Sequence, residues 1–327
     1  MLVTLKKRAD SKHIRSVLQE MGIWTTPLMG RDASVNALVV ERHSSSVPAE
    51  EIEKLPGVSS VCAEPSSHPR LDEMAARKVV LPMIELGHEA TPVLMAGPCS
   101  VESEEQIHSA AELVASVGGK LLRGGAFKPR TSPYSFSGHG RPALKWLREA
   151  ADAHGLGVVT EVMSEGDVDS VVEVADLVQI GSRNMQNFAL LRAVGSSGRP
   201  VMLKRGMAAS VHDWMMSGEH LLAAGAGQVV FCERGIASFD TSTRNLLDLG
   251  AVALLSHVYR LPVVVDPSHA VGRRDLIPAL ARGALASGAH GLILEAHPRP
   301  ALAQSDGPQA LGAKALRDLV EGCFPWK

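Results

Sequence analysis

The segment MAGPCSVES, residues 95–103, ends an apolar run on Gly97-Pro98-Cys99. A cysteine in that place is open to three readings: small core filling, a nucleophile, or a metal ligand. Further along, PVVVDPSH brings Asp266 and His269, GLILEAH brings Glu295 and His297, and the loop AQSDG brings Asp306. Cysteine, histidine and carboxylate together make a mixed soft and hard donor set. It suits a divalent transition ion such as Mn²⁺, Fe²⁺, Co²⁺ or Zn²⁺. A second set is cationic: Arg123, Lys128, Arg130, Arg183, Lys204 and Arg234. Forked guanidinium groups match phosphate and carboxylate geometry, while lysine acts as a point charge. Two or three such groups serve one phosphate. Six imply two phosphorylated substrates, or one phosphate with a carboxylate and a second phosphate.

Something must bring these residues together. From Pro92 onward the chain repeats strand then helix: VLMAGP, LLRGG, GVVTEVM, LVQIG, VMLKRG, VVFCERG, PVVVDPSH and GLILEAH each precede a helical segment. Continuous Val/Ile/Leu strands alternating with helices imply a parallel sheet buried on both faces. Eight units imply a closed (β/α)₈ TIM barrel, with its chemistry at the carboxyl ends of the strands. A doubly wound open sheet is the alternative, but no G-x-G-x-x-G follows the first strand, so a Rossmann reading fails. The polar residues obey the barrel's demand. In strand order they are Cys99, Arg123 leading into Lys128-Pro129-Arg130-Thr131, Glu161, Arg183, Lys204-Arg205, Glu233-Arg234, Asp266 with His269, and Glu295 with His297. Any one could be a strand-end charge reaching water, the common fate of such groups. Eight on one rim exceed solvation alone. In a closed barrel the last strand lies between the seventh and the first, which sets Cys99, His269 and Glu295 on consecutive staves. Asp306 can fold back over the same corner, and the cysteine then reads as a ligand whose pKa the ion would lower.

The front of the chain has another texture. LVTLKK, IWTTPLM, VNALVVERH and VSSVCAEP read as strands, with helices in DSKHIRSVLQEMG and PAEEIEKLPG. The order β-α-β-β-α-β is that of a small ferredoxin-like sandwich over residues 1–65. Residues 66–90 read as a linker and barrel-bottom segment, and 91–327 as the barrel. The composition is 45% hydrophobic and 21% charged with a formal net charge of −2, which gives no reason to expect a nucleic-acid or membrane partner. The amino terminus lacks a signal-peptide pattern, and no run of apolar residues is long enough to span a bilayer. The four cysteines are far apart with no C-x-x-C pair, so a reducing cytoplasm is the expected location.

The stretches GPCSVES, RGGAFKPRTSPYSFSG, QIGSRNMQNF, LKRGM, DPSHAVGRRD and LEAHPRP…SDGPQAL closely resemble 3-deoxy-D-arabino-heptulosonate 7-phosphate (DAHP) synthase. The similarity is to the short bacterial type I-beta with an amino-terminal ferredoxin-like regulatory domain, and it runs through the whole barrel in order. That family condenses phosphoenolpyruvate with erythrose 4-phosphate at the first step of the shikimate pathway of aromatic amino acid biosynthesis.

The resemblance implies metal ligands at Cys99, His269, Glu295 and Asp306, with Mn²⁺ as the expected ion. It implies a phosphoenolpyruvate pocket of Arg123, Lys128, Arg183, Lys204 and Arg234, with Glu161 helping to hold an ordered water. Pro129, Arg130, Thr131 and Ser132 would receive erythrose 4-phosphate. Among the groups taking part in catalysis are Lys128, managing a proton on the substrate side, and the ligands Cys99 and His269. A homo-oligomer is implied, with a tetramer as the first expectation, and an aromatic effector such as tyrosine, phenylalanine or prephenate acting through the front domain. The sister family making 3-deoxy-manno-octulosonate 8-phosphate carries a K-A-N-R-S type stretch where this chain has KPRTS. Two departures from the family pattern stand out, Ala237 in GIASFD and Val271 in SHAVGRR. Two rival readings use the same residues: a Schiff-base aldolase with Lys204 as nucleophile, and a non-catalytic binding module that keeps the barrel.

Overall fold

The computed structural model describes residues 1–30, 34–41, 43–63, 65–82, 84–128, 134 and 136–324. They divide into two compact units, 1–67 and 68–327.

In the first unit, strands β1 (Leu2–Leu5), β2 (Thr25–Met29), β3 (Val35–Val40) and β4 (Val58–Cys62) form an antiparallel sheet in the order β2-β3-β1-β4. Helix Ser11–Glu20 starts where the Asp10 carboxylate accepts from the Lys12 and His13 amides, both at 3.1 Å, leaving fewer orphan donors in the first turn. That helix turns Ile14 and Leu18 toward the sheet, where they pack with Val3, Leu38, Ile52 and Val58. Strand alternation leaves the other face more open, with Leu28 and Val39 exposed. This is the ferredoxin-like arrangement expected from the sequence.

The second unit opens with helix Pro69–Met74 and a hairpin of β5 (Val79–Leu81) and β6 (Ile84–Leu86). Eight parallel staves follow: β7 (Val93–Gly97), β8 (Leu121–Arg123), β9 (Gly157–Val162), β10 (Leu177–Ile180), β11 (Val201–Lys204), β12 (Val229–Glu233), β13 (Val263–Val265) and β14 (Gly291–Glu295). They close into a barrel, with β14 between β13 and β7. Outward side chains such as Leu94, Val178, Leu203 and Leu292 pack under the helices. Inward ones, among them Met95, Leu121, Val159, Met202, Val230, Val264 and Ile293, fill the interior together with Val79, Leu81 and Leu86 of the hairpin. The hairpin therefore plugs the amino-terminal end of the barrel, and the site lies at the other end.

One segment differs from the sequence reading. Where PSSHPRLDEMAARK, residues 65–78, reads as linker, the structure has helix Pro69–Met74, with Leu71 and Met74 buried in the barrel's outer core. Its first amides, of Arg70 and Leu71, donate to the Glu219 carboxylate at 3.1 and 3.0 Å. Six residues with two apolar positions are too short to show helical periodicity, and the cap arrives from a distant helix.

Candidate active site

The period of two along each stave decides which rim residues look inward. Arg123 follows Leu121 by two positions, Glu161 follows Val159, and Gln179 follows Leu177. Lys204 follows Met202, Arg234 follows Cys232, Asp266 follows Val264, and Glu295 follows Ile293. In each pair the earlier residue is interior apolar core. The later one is the first polar group beyond that core. A pocket of about 140 Å³ opens above it, lined by Arg123, Lys128, Glu161, Gln179, Arg183, Lys204, Arg234, Arg244, His269 and Asp306 among others.

Residues on the opposite register are turned away. Arg205 follows Leu203 and Glu233 follows Phe231, both outward, and these two form a buried ion pair at 2.9 Å that Asp248 joins, also at 2.9 Å. His297 faces Glu102 at 3.5 Å. Arg205, Glu233 and His297, which the rim pattern grouped with the strand-end chemistry, thus lie outside the pocket lining.

At one corner Cys99, His269, Glu295 and Asp306 converge, with one donor atom of each within 4.8 Å of all the others. Strand β7 can deliver Cys99 because it ends in glycine. Gly97 has φ +149°, and a Cβ there would stand 2.1 Å from the Arg123 carbonyl oxygen. The Cys99 Sγ donates to Asp306 Oδ2 at 3.0 Å, and Lys128 Nζ lies 2.9 Å from the same sulfur and 2.7 Å from the Cys99 carbonyl oxygen. Burial, assisted by the Glu295 charge, pushes the thiol up to about 12.

His269 sits in a short helix, Pro267–Val271, capped by Asp266, whose Oδ1 accepts the His269 amide at 2.9 Å. Asp266 Oδ2 also meets His269 Nδ1 at 2.7 Å, leaving Nε2 toward Glu295 Oε1 at 3.2 Å and Asp306 Oδ2 at 3.9 Å. Glu295 is further held by Arg123 at 3.0 Å and by Gln309 Nε2 at 2.6 Å. Burial works against its ionisation, but His269 and Arg123 outweigh burial and hold the carboxyl below its usual range. For Asp306 burial is likewise outweighed, by the Cys99 hydrogen bond, His269 and Arg244. The donor chemistry fits a divalent ion: two anionic carboxylates, an oriented imidazole, and a thiol whose proton the ion would displace.

The cations occupy the rest of the bowl. Lys204 Nζ pairs with Asp266 Oδ2 at 2.6 Å. Burial lowers the Arg234 guanidinium from its ordinary value, with Asp266 opposing and Arg244 adding to the effect. Arg183 stands exposed at the rim in the turn Ser182–Asn184, and Glu161 accepts from Gln179 Nε2 at 3.2 Å. Pro129, Arg130, Thr131 and Ser132 lie outside the described residues.

Three pocket or cluster groups escaped the sequence reading. Gln179 was legible, since it continues the inward register of LVQI. Arg244, which reaches Asp306 Oδ1 at 3.4 Å and Gln309 Oε1 at 3.3 Å, lies in an irregular segment after β12. Gln309 follows the last stave in a loop. Neither carries a periodic signal.

Comparison with known proteins adds a family. A family model described as the DAHP synthetase I family matches residues 68–322. A phospho-2-dehydro-3-deoxyheptonate aldolase of Thermotoga maritima is 49% identical over 228 residues, covering 70% of this chain and 68% of the relative. A 2-dehydro-3-deoxyphosphooctonate aldolase of Acidithiobacillus ferrooxidans is 34% identical over 255 residues, covering 72% of this chain and 89% of the relative. The crystal structure of phospho-2-dehydro-3-deoxyheptonate aldolase (DAHP synthase) from Thermotoga maritima superposes with a TM-score of 0.76 at 39% identity, covering 98% of this chain and 95% of that one. A closed barrel with this rim, matched along nearly all of its length, makes the chain an enzyme of the DAHP synthetase I family.

Proposed function

We propose that the chain condenses phosphoenolpyruvate with erythrose 4-phosphate and water to give DAHP and phosphate, the first step of the shikimate pathway. The observation that carries this reading is one bowl in which a four-donor cluster borders several cations. A cluster alone would suit many hydrolases, and cations alone any phosphate binder. Together they suit two phosphorylated substrates, one of them an aldehyde.

In this reading Cys99, His269, Glu295 and Asp306 hold a divalent ion, Mn²⁺ in the first instance, which when bound supplies Lewis acidity to the aldehyde oxygen. Arg123, Lys128, Arg183, Lys204 and Arg234 hold phosphoenolpyruvate with C3 facing the aldehyde carbon, so that a two-substrate encounter becomes a positioned one. The C3–C1 bond forms as the enol π pair moves to the aldehyde carbon and the carbonyl pair to its oxygen. Lys128, beside Cys99, is placed to deliver a proton to that oxygen. Cationic character at C2 is met by water, which Glu161 helps to hold, and phosphate departs by C–O cleavage. Pro129, Arg130, Thr131 and Ser132 receive the aldose phosphate. A Schiff base at Lys204 is disfavoured, because an amine ion-paired at 2.6 Å is an anchor and not a free nucleophile.

Residues 1–67 are proposed as a regulatory unit of a cytoplasmic homotetramer, responding to tyrosine, phenylalanine or prephenate. A small ferredoxin-like sheet with an open face favours pairing. Among the described residues, no helix is long and apolar enough to cross a membrane.

The test is product formation by the purified chain with and without chelator, and with each aldose. Activity is expected to vanish with EDTA, return with Mn²⁺, and prefer erythrose 4-phosphate. The octulosonate-type relative gives the second reading its weight. A higher kcat/KM with arabinose 5-phosphate would move the assignment there.

A further inference from the structure

We propose that Glu102 is a positioning residue that sets the place of Asp306 in the donor cluster; the proposal rests on the metal-dependent reading above. Three of the four donors stand on or beside regular structure: Glu295 ends a stave, Cys99 stands two residues beyond one, and His269 lies in a capped helical turn. Asp306 does not. It lies eleven residues beyond Glu295 in an irregular loop, with φ +50°, a left-handed conformation uncommon outside glycine though aspartate is among the residues that adopt it.

The contacts that hold this loop run between two turns. Ser100, next to Cys99, meets Ser305, next to Asp306, through their hydroxyls at 2.5 Å. That tether is a single contact between side chains. Glu102 supplies a second, parallel one: its Oε1 accepts the Gln304 amide at 2.8 Å. Its Oε2 faces His297 Nε2 at 3.5 Å, at the root of the same loop. Since His297 Nδ1 accepts the Arg299 amide at 2.9 Å, the proton of a neutral imidazole belongs on Nε2. That buried nitrogen makes no hydrogen bond among the described residues, which leaves its contact with Glu102 one of proximity and charge. Backbone groups fix Glu102 in turn, its amide donating to Gln106 and its carbonyl oxygen meeting His139 Nε2 at 3.0 Å. From the far side Arg274 holds the Gly307 and Pro308 carbonyls at 3.0 and 2.9 Å. Glu102 touches none of the donor atoms. It acts through the loop.

The test is a Co²⁺ titration of the metal-free full chain, with absorption spectra, for wild type, Glu102→Ala, Glu102→Gln and Ser305→Ala. Glu102→Ala is expected to weaken Co²⁺ binding about 10–100-fold, the usual range for an outer partner of a ligand. It should also change the d–d bands as Asp306 leaves its place. The thiolate-to-cobalt charge-transfer band should remain, because Cys99 is untouched, and the metal-free variant should melt with the wild type. Glu102→Gln keeps the acceptor for the Gln304 amide and should recover part of the affinity. Saturating metal should restore kcat with the KM for phosphoenolpyruvate unmoved. Wild-type affinity and bands in Glu102→Ala would overturn the positioning role. If that variant does not fold, Ser305→Ala, which cuts the parallel tether, must show the same loss, and wild-type binding there overturns the proposal. A wild-type chain that takes up no Co²⁺ with a thiolate band would instead sink the metal reading itself.

Discussion

Lys204, at the end of β11, and His269, in the short helix after β13, share a single oxygen atom: Asp266 Oδ2 lies 2.6 Å from the lysine Nζ and 2.7 Å from the histidine Nδ1. The carboxylate is fully buried, and burial opposes its charge. His269 and Lys204 overcome that opposition and hold it well below the usual range. One anion thereby orients a donor of the cluster and an anchor of the cationic bowl at once.

Asp266→Asn should therefore damage both halves of the site. The amide cannot balance the ammonium, and it offers a donor where His269 needs an acceptor. We expect metal affinity to fall about 10–100-fold and the KM for phosphoenolpyruvate to rise in the same variant. Steady-state kinetics at saturating metal, beside a metal titration, separate the two losses. A change in one alone would contradict the shared role.

Metal uptake should release a proton. With the Cys99 thiol pushed up to about 12 by burial, the metal-free protein carries it protonated at neutral pH, whereas a ligand must be the thiolate. Calorimetric titration with Mn²⁺ in buffers of different ionisation enthalpy is expected to report about one proton released. Cys99→Ala should abolish both binding and turnover. In the metal-free wild type, exposed Cys62 should react with a thiol reagent well before Cys99.

Stability should decline on mild acidification for a reason at the other end of the barrel. Burial, with His88 at a ring distance of 4.7 Å, lowers His290 to about 4 from an ordinary 6.5, while its Nδ1 accepts the Val263 amide. Below 6.5 the unfolded chain binds a proton that the folded one refuses. Stability is thus lost as pH falls through that window, by up to about 3 kcal/mol once pH reaches the folded value. Denaturant titrations from pH 7 to 4 measure it. His290→Asn, whose Oδ1 can replace Nδ1 as acceptor, should flatten the dependence.

Substrate choice should follow KPRTS. Arg130→Ala is expected to raise the KM for erythrose 4-phosphate by at least about tenfold, the scale of one lost charged contact, and to leave phosphoenolpyruvate nearly unaffected. Equal rises for both substrates would place Arg130 in the common bowl.

Removing residues 1–67 should leave an active barrel. The four donors and the described lining of the bowl all lie in the second unit. Inhibition by tyrosine, phenylalanine or prephenate should be present in the full chain and absent in the truncated one. Equal inhibition of both, or of neither, would end the regulatory reading.

The sequence alone determined the barrel, because each stave announces itself as a Val/Ile/Leu run before a helix, and eight such runs leave few topologies. It also determined most of the rim, since the first polar residue after an apolar run is the one that meets solvent or substrate. Closure followed from counting, and with it the meeting of Cys99, His269 and Glu295. The rim pattern grouped Lys204 with Arg205 and Glu233 with Arg234, adjacent charged residues whose side chains must point to opposite faces of the stave. Register against the interior decided them, sending Lys204 and Arg234 into the bowl and pairing Arg205 with Glu233 beneath the helices. Only the tertiary structure could recruit Arg244 and Gln309, place Glu102 against Gln304, or cap helix Pro69–Met74 with Glu219. Such partners come from irregular loops or from helices far away in the chain. Periodicity records which face of an element is buried; it carries no information about which distant group will meet a backbone amide or a carboxylate oxygen.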